Sequence, residues 1–294
     1  MQPDARFLHQ PKAFWAHVRT LSQHLGYTHR KTKSRPDDGV KVPTLDECLA
    51  GLKELELETE HVAEGGKPTA FGALLLAYFE YRADVLNRTV EPLLMNVEEA
   101  RKTFARLKEE CKPCCPLPMN KQKGEKKAEA YFTGIINMLI EKHSAGLPVN
   151  YDPQELTTIT REGVPVRTLA RRVDGAFTSA VNPVAVWEIK EYYYTTTFGS
   201  RVADGVYESL LDGLELEELR DSEGVDVKHY LMIDARGTWW EKGKSYLCRI
   251  IDMLHMGYID EALFGQEVLS RLPEIVPSWV DLAYAQTEPT PSET

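Results

Sequence analysis

Across the first 110 residues, apolar side chains recur every three to four positions, the period of a helix with one buried face. Phe14, Trp15, Val18, Leu21 and Leu25 predict a helix over 11–26, with Gly26 as its C-cap. Thr44, with Glu47 three residues later, forms the pattern of a capping box, and Leu45, Leu49, Leu52 and Leu55 mark the inner face of the helix that follows. The run from Thr69 to Val90 is apolar on all sides (Phe71, Leu74, Leu75, Leu76, Tyr78, Phe79), as expected of a buried helix. A further amphipathic helix is expected over 97–110, so the first third reads as all-helical.

Around residue 150 the period changes. Leu156–Arg161 and Val166–Phe177 read as strands separated by the turn Glu162-Gly163. Val184–Lys190 follows after the Thr178–Pro183 loop, and its alternation sets Glu188 and Lys190 on one face against Trp187 and Ile189 on the other. Before these strands, 121–143 opens with a lysine cluster and becomes helical, with Ala128, Phe132, Ile135, Ile136 and Leu139 on one face and Glu125 and Glu129 in its first turns. After them come a helix over 200–219 (Ala203, Val206, Tyr207, Leu210 and Leu214 inward), the strand Lys228–Asp234, and helices over 244–256 and 258–272. The tail, 285–294, has the composition of a disordered segment. Three regions result: a helical one over 1–118, a mixed α/β one over 119–284, and the tail.

Composition changes this picture in one respect. The chain has 294 residues and a formal net charge of −10, which argues against a polyanionic partner until its distribution is considered. Residues 1–41 carry +5 and 101–127 carry +6, whereas 208–226 carry −7. A binder with one basic face is compatible with that segregation, and so are ordinary solvated helix faces. The basic stretch after residue 26 is a linker or a flexible nucleic-acid-contacting arm. No apolar run reaches the length of a membrane span and the N-terminus lacks a signal-peptide core, so a soluble, cytoplasmic protein is expected. Five cysteines fit a reducing compartment. Cys111 and Cys114 have the spacing of half a zinc site, but no second pair follows, and a proline-punctuated linker with free thiols is the alternative.

The chemistry concentrates in Arg171–Thr195. A hairpin-like reversal brings Asp174 beside Glu188. Paired carboxylates repel, and a protein that holds them together commonly supplies a divalent cation, Mg²⁺ or Mn²⁺ for hard oxygen ligands. Lys190 then faces a phosphate or the attacking water. Arg171, Arg172 and Arg201 are phosphate contacts or structural pairs. Tyr192, Tyr193 and Tyr194 face bases or pack at the strand edge.

Asp174, thirteen intervening residues, then Glu188-Ile189-Lys190 resembles the D…(D/E)-x-K signature of the PD-(D/E)xK nuclease superfamily, to which many type II restriction endonucleases belong. Val173 stands where that motif often has proline. The resemblance implies an αβββαβ core with a mixed central sheet, spanning about 121–236, preceded here by an all-helical N-terminal region for recognition or dimerisation. It implies that Asp174 and Glu188 hold Mg²⁺ (Mn²⁺ substituting), that the Ile189 carbonyl is a further ligand, and that Lys190 orients water and neutralises the scissile phosphate. Glu129, with Glu125 as its competitor, matches the glutamate that many relatives place on the helix before the sheet. Lys121 and Lys123 join the arginines as phosphate contacts. The implied activity is metal-dependent cleavage of double-stranded DNA by a homodimer, as a restriction or other defence nuclease, with a separate methyltransferase if it belongs to a restriction system. The alternatives are a repair or processing nuclease and a catalytically silent nucleic-acid-binding or assembly protein. There is no phosphate-binding G-x-x-x-x-G-K-[ST] loop, no G-x-S-x-G and no dinucleotide fingerprint.

Overall fold

The computed structural model describes residues 1–29, 39–120, 128–194 and 199–287. In chain order the helices are α1 (Lys12–Leu25), α2 (Leu45–Glu54), α3 (Ala70–Val85), α4 (Val97–Cys111), α5 (Tyr131–His143), α6 (Ser200–Glu223), α7 (Lys244–His255) and α8 (Val268–Thr287). The strands are β1 (Val149–Asn150), β2 (Thr158–Arg161), β3 (Val164–Thr168), β4 (Gly175–Phe177), β5 (Ala185–Glu191), β6 (Lys228–Asp234) and β7 (Glu261–Phe264). A two-residue ladder, Ala63–Glu64 with Lys67–Pro68, precedes α3. The protein is mixed α/β, with one five-stranded mixed sheet among the described residues.

Several helix ends obey local chemistry. Thr44 accepts from the Glu47 amide at 3.2 Å while Glu47 accepts from the Thr44 amide at 2.9 Å, the reciprocal bonds of a capping box. Asn96 and Glu99 do the same at α4. Other segments depart from expectation. The 69–90 run leaves α-geometry at Leu86, where a π-turn carries it to Val90. Residues 258–272, expected as one helix, divide into β7 and the start of α8, because Glu261–Phe264 is wholly buried as the fifth strand. Three apolar residues beside a glutamate do not distinguish a buried strand from a helical turn by period. Residues 285–287, expected in the tail, belong to α8, and 288–294 lie outside the described residues.

The chain forms two compact units and passes between them at Gln2/Pro3, Pro92/Leu93, Thr238/Trp239 and Gly257/Tyr258. One comprises Pro3–Pro92 with Trp239–Gly257. Its core joins α1, α2 and α3 through Phe14, Trp15, Leu21, Leu52, Leu75, Tyr78 and Phe79. Within it the Asp252 carboxylate accepts from Tyr78 Oη at 2.6 Å and from Arg82 Nη1 at 3.0 and 3.1 Å, all three residues being buried.

The other unit comprises Met1–Gln2, Leu93–Thr238 and Tyr258–Thr294. Helix α4 belongs here because its apolar face (Ala100, Phe104, Leu107) shares a core with α5. At Gly134 a Cβ would meet the Phe104 ring at 2.4 Å, so the absence of a side chain permits that packing. The sheet runs β1-β4-β5-β6-β7, antiparallel from β1 to β5 and parallel from β5 to β7. Thr158–Arg161 does not enter it but pairs with β3 in a separate hairpin. The single strand expected over 166–177 is interrupted by 169–174, and only Gly175–Phe177 joins the sheet.

Strand alternation assigns the two faces. Trp187 and Tyr230 face α5 and α8, where the Trp187 and Trp279 rings stack at 5.5 Å. Val186 belongs with Val173, Ala176, Leu216 and Leu219 beneath α6. Glu188 and Lys190, in phase with Val186, therefore lie on the α6 side.

Candidate functional site

The site begins at the end of the 169–174 loop. The Asp174 amide donates to the Trp187 carbonyl at 3.1 Å, extending the β4–β5 ladder by one residue. The same amide lies 3.2 Å from Glu188 Oε1, and Asp174 Oδ2 accepts from the Ile189 amide at 2.8 Å. Asp174 and Glu188 are thus neighbours across two strands, as the sequence predicts. Gly175 permits this, since a Cβ there would lie 2.1 Å from the Trp187 indole.

Glu188 is fully buried and carries two cations. Lys190 Nζ lies 2.7 Å from its Oε2, and Arg171 approaches both oxygens, at 2.8 and 3.1 Å. Helix α6 closes the cluster. Glu208 Oε2 lies 3.1 Å from Lys190 and 3.5 Å from Arg171, and Asp212 Oδ2 lies 2.6 Å from Arg171. Three acids therefore share two bases, with Asp174 adjoining. Burial alone would raise the Glu188 carboxyl, but Lys190 and Arg171 hold it below the ordinary carboxylate range. Burial opposes charge on Lys190 and Arg171 as well, yet the carboxylates raise both above their usual values. Asp212 goes the other way: burial, then the charge of Glu188, pushes it up to about 7. Its Oδ1 is buried without a hydrogen-bond partner.

Helix α6 reaches the cluster through an unexpected face. Its buried positions are Val202, Gly205, Val206, Ser209, Asp212, Gly213, Leu216 and Leu219, whereas Tyr207 and Leu214, expected inward, are exposed. Small residues account for the phase. A Cβ on Gly205 would lie 2.7 Å from the Tyr192 hydroxyl and 3.2 Å from Lys190 Cδ, and one on Gly213 would lie 2.5 Å from the Tyr258 carbonyl. Close backbone approach selects the glycine face, and Asp212 comes inward with it.

The remaining predicted residues are dispersed. Glu129 is not helical: it bridges Met119 in extended pairing before α5 begins at Tyr131. Its carboxylate pairs with Lys108 at 3.7 Å and lines a shallow groove with Phe104 and Tyr131. The carboxylate that α5 does meet is Glu191, whose Oε2 accepts from the Thr133 amide and hydroxyl at 2.9 and 3.0 Å. Arg171 is held within the acid cluster, and Arg172 binds Gln154 at 3.2 Å on the surface. Arg201 is exposed, its carbonyl accepting from Tyr192 Oη at 3.3 Å. Lys121, Lys123 and Glu125 lie outside the described residues. The hydroxyl of Tyr193 donates to Asp234, a packing role. Cys111, Cys114 and Cys115 are free thiols, and the Cys114 amide donates to Glu141. Among the described residues, no group of three or more His, Cys, Asp or Glu side chains is arranged to hold a metal ion.

Sequence reasoning missed Glu208 and Asp212. Their spacing of four places them on one helix face within the acidic segment, but the apolar residues beside them indicated a different inner face.

The fold and site define a mixed α/β protein with a buried carboxylate, lysine and arginine cluster between a central strand and a helix. The chain belongs to a family described as a domain of unknown function (DUF7687), which matches residues 95–279, and residues 1–89 match a second such domain (DUF7690). The junction of the two matches brackets Pro92/Leu93, one of the points at which the chain passes between the compact units. No curated protein and no solved structure matches the chain.

Proposed function

We propose that this protein is a metal-dependent nuclease that hydrolyses phosphodiester bonds in DNA, with Asp174, Glu188 and Lys190 as its reactive set. One observation carries the reading: Asp174, at the end of the loop that enters β4, adjoins Glu188 on the paired strand β5, with Lys190 Nζ 2.7 Å from Glu188. The element order adds support. A helix (α5), three antiparallel sheet strands (β1, β4, β5), a helix (α6) and a parallel strand (β6) follow the αβββαβ pattern once the β2–β3 hairpin is treated as an insertion.

The donor chemistry suits a hard divalent ion such as Mg²⁺ or Mn²⁺, since every acidic side chain in the cluster offers oxygen and one buried oxygen, Asp212 Oδ1, has no partner. Asp174 and Glu188 would hold the ion, with the Ile189 carbonyl as a further donor. When bound, it would polarise the phosphoryl oxygen and lower the pKa of water. Lys190, kept protonated by Glu188, places a fixed positive charge beside the reacting phosphate and donates to the attacking water. Glu129, paired with Lys108, has no part in this set. A homodimer acting on double-stranded DNA, in restriction or another defence role, is the biological form that the chemistry suggests, because one site per chain cuts one strand.

The test is plasmid nicking with Mg²⁺ or Mn²⁺ by wild type and by Asp174→Ala, Glu188→Gln and Lys190→Met. Wild type should cut and the three folded variants should not. Undiminished cutting by all three sinks the proposal. A second reading, a catalytically silent nucleic-acid-binding protein, is favoured by the neutralisation of Glu188 by Arg171 and Lys190. Shift of a labelled duplex by wild type without nicking, under any divalent ion, selects it.

A further inference from the structure

The Arg171 guanidinium lies where three carboxylates converge. It contacts both oxygens of Glu188 at 2.8 and 3.1 Å, Asp212 Oδ2 at 2.6 Å and Glu208 Oε2 at 3.5 Å. Glu188 and Asp212 are fully buried, yet Arg171 keeps 22% of its side chain exposed, so it enters the cluster from the solvent side. Its α6 anchor, Asp212, retains a second buried oxygen without a partner. A carboxylate with one oxygen on a guanidinium and the other on nothing is a donor short of one cation contact, and that shortage costs free energy in a buried setting.

Charge balance decides what can enter. Glu188, Glu208 and Asp212 face Arg171 and Lys190, so a divalent ion added beside Arg171 would meet two resident cations. If Arg171 left, the same three acids would face only Lys190, a surplus that suits one divalent ion. An anion outside the pocket competes for a guanidinium held this way, and a phosphodiester, which on the nuclease reading is the substrate's own anion, matches its fork.

We propose that Arg171 is a gate: its guanidinium occupies a cation site formed by Glu188 and Asp212, and a divalent ion takes that site when a nucleic-acid phosphate draws Arg171 outward. This rests on the nuclease reading for the identity of the anion, and it adds Asp212 as a metal ligand and makes metal loading depend on substrate. Idle metal binding is thereby suppressed in the free protein.

The experiment measures Mn²⁺ binding to the folded full chain, from the free-ion EPR signal, in the absence of DNA. Arg171→Lys keeps the charge but loses the second guanidinium nitrogen, the one that reaches Glu188 Oε2 at 3.1 Å and Glu208 Oε2 at 3.5 Å, so it is held less firmly and is expected to bind Mn²⁺ at least tenfold more tightly than wild type. The double variant R171K/D212N is expected to lose that gain. Should R171K fail to fold by circular dichroism, Arg171→Gln, which keeps amide donors without the charge, is read in its place. Equal affinity of wild type and the Arg171 variant overturns the gate, and a gain that survives D212N overturns Asp212 as a ligand. A gain abolished by D212N, in proteins that never cut DNA, upholds the gate and defeats the nuclease reading. Cutting by wild type with no gain in R171K does the reverse.

Discussion

Replacing Glu188 by glutamine removes one charge from a buried cluster while keeping its shape. In wild type the carboxylate carries contacts to Lys190 at 2.7 Å and to Arg171 at 2.8 and 3.1 Å. Hydrogen bonds to charged groups contribute about 1.5–3 kcal/mol each, and glutamine offers one acceptor oxygen where the carboxylate offers two, its NH₂ facing the other cation, so the exchange loses about 2–3 kcal/mol. Against this stands the repulsion between Glu188 and Asp212, the largest influence after burial in pushing Asp212 up to about 7. One pKa unit corresponds to about 1.4 kcal/mol, so relief of even part of that shift returns about 1–2 kcal/mol. Arg171 and Lys190 also keep Asp212 and Glu208 as partners, leaving no orphaned cation. The expected net loss is about 1 kcal/mol, read by urea unfolding followed by circular dichroism, alongside complete loss of Mg²⁺-dependent nicking. A loss above about 3 kcal/mol would refute the reasoning, since it would mean that Glu188 is the sole support of both cations.

Asp252 makes the contrasting case: Asp252→Ala leaves Arg82, also buried, with Ser22 at 3.1 Å in place of a carboxylate, and urea unfolding should report a loss of about 3–5 kcal/mol. Gly175→Ala places a Cβ 2.1 Å from the Trp187 indole; overpacking of this kind costs about 1–3 kcal/mol, visible as a lowered Tm and a changed near-ultraviolet signal from Trp187. Burial pushes Asp234 up to about 7, as it does Asp212, so the folded protein holds protons that the unfolded chain releases near pH 4. Stability should therefore fall as pH rises from about 4 to 7, with D234N flattening part of the slope in urea titrations at successive pH values; a slope unaffected by D234N would contradict this.

What the sequence determined by itself was local. The capping box at Thr44, the helices of the first 110 residues, the strand Lys228–Asp234 and the parity that puts Glu188 and Lys190 on one face are properties of short segments, governed by backbone geometry and period. The adjacency of Asp174 and Glu188 was also legible, because a reversal between two strands restricts their partners. Tertiary structure decided the rest. Whether Glu261–Phe264 becomes a strand depends on an open edge at β6, and whether Leu156–Arg161 enters the main sheet depends on a competing partner in β3. The phase of α6 depends on how closely Gly205 and Gly213 can approach Lys190, Tyr192 and Tyr258, a contact between segments remote in sequence. That phase brings Asp212 inward, and the loop before β4 delivers Arg171 to meet it. Helical periodicity sums over apolar side chains and is insensitive to glycine, so a helix that docks through its smallest residues conceals its functional face until its neighbour is in place.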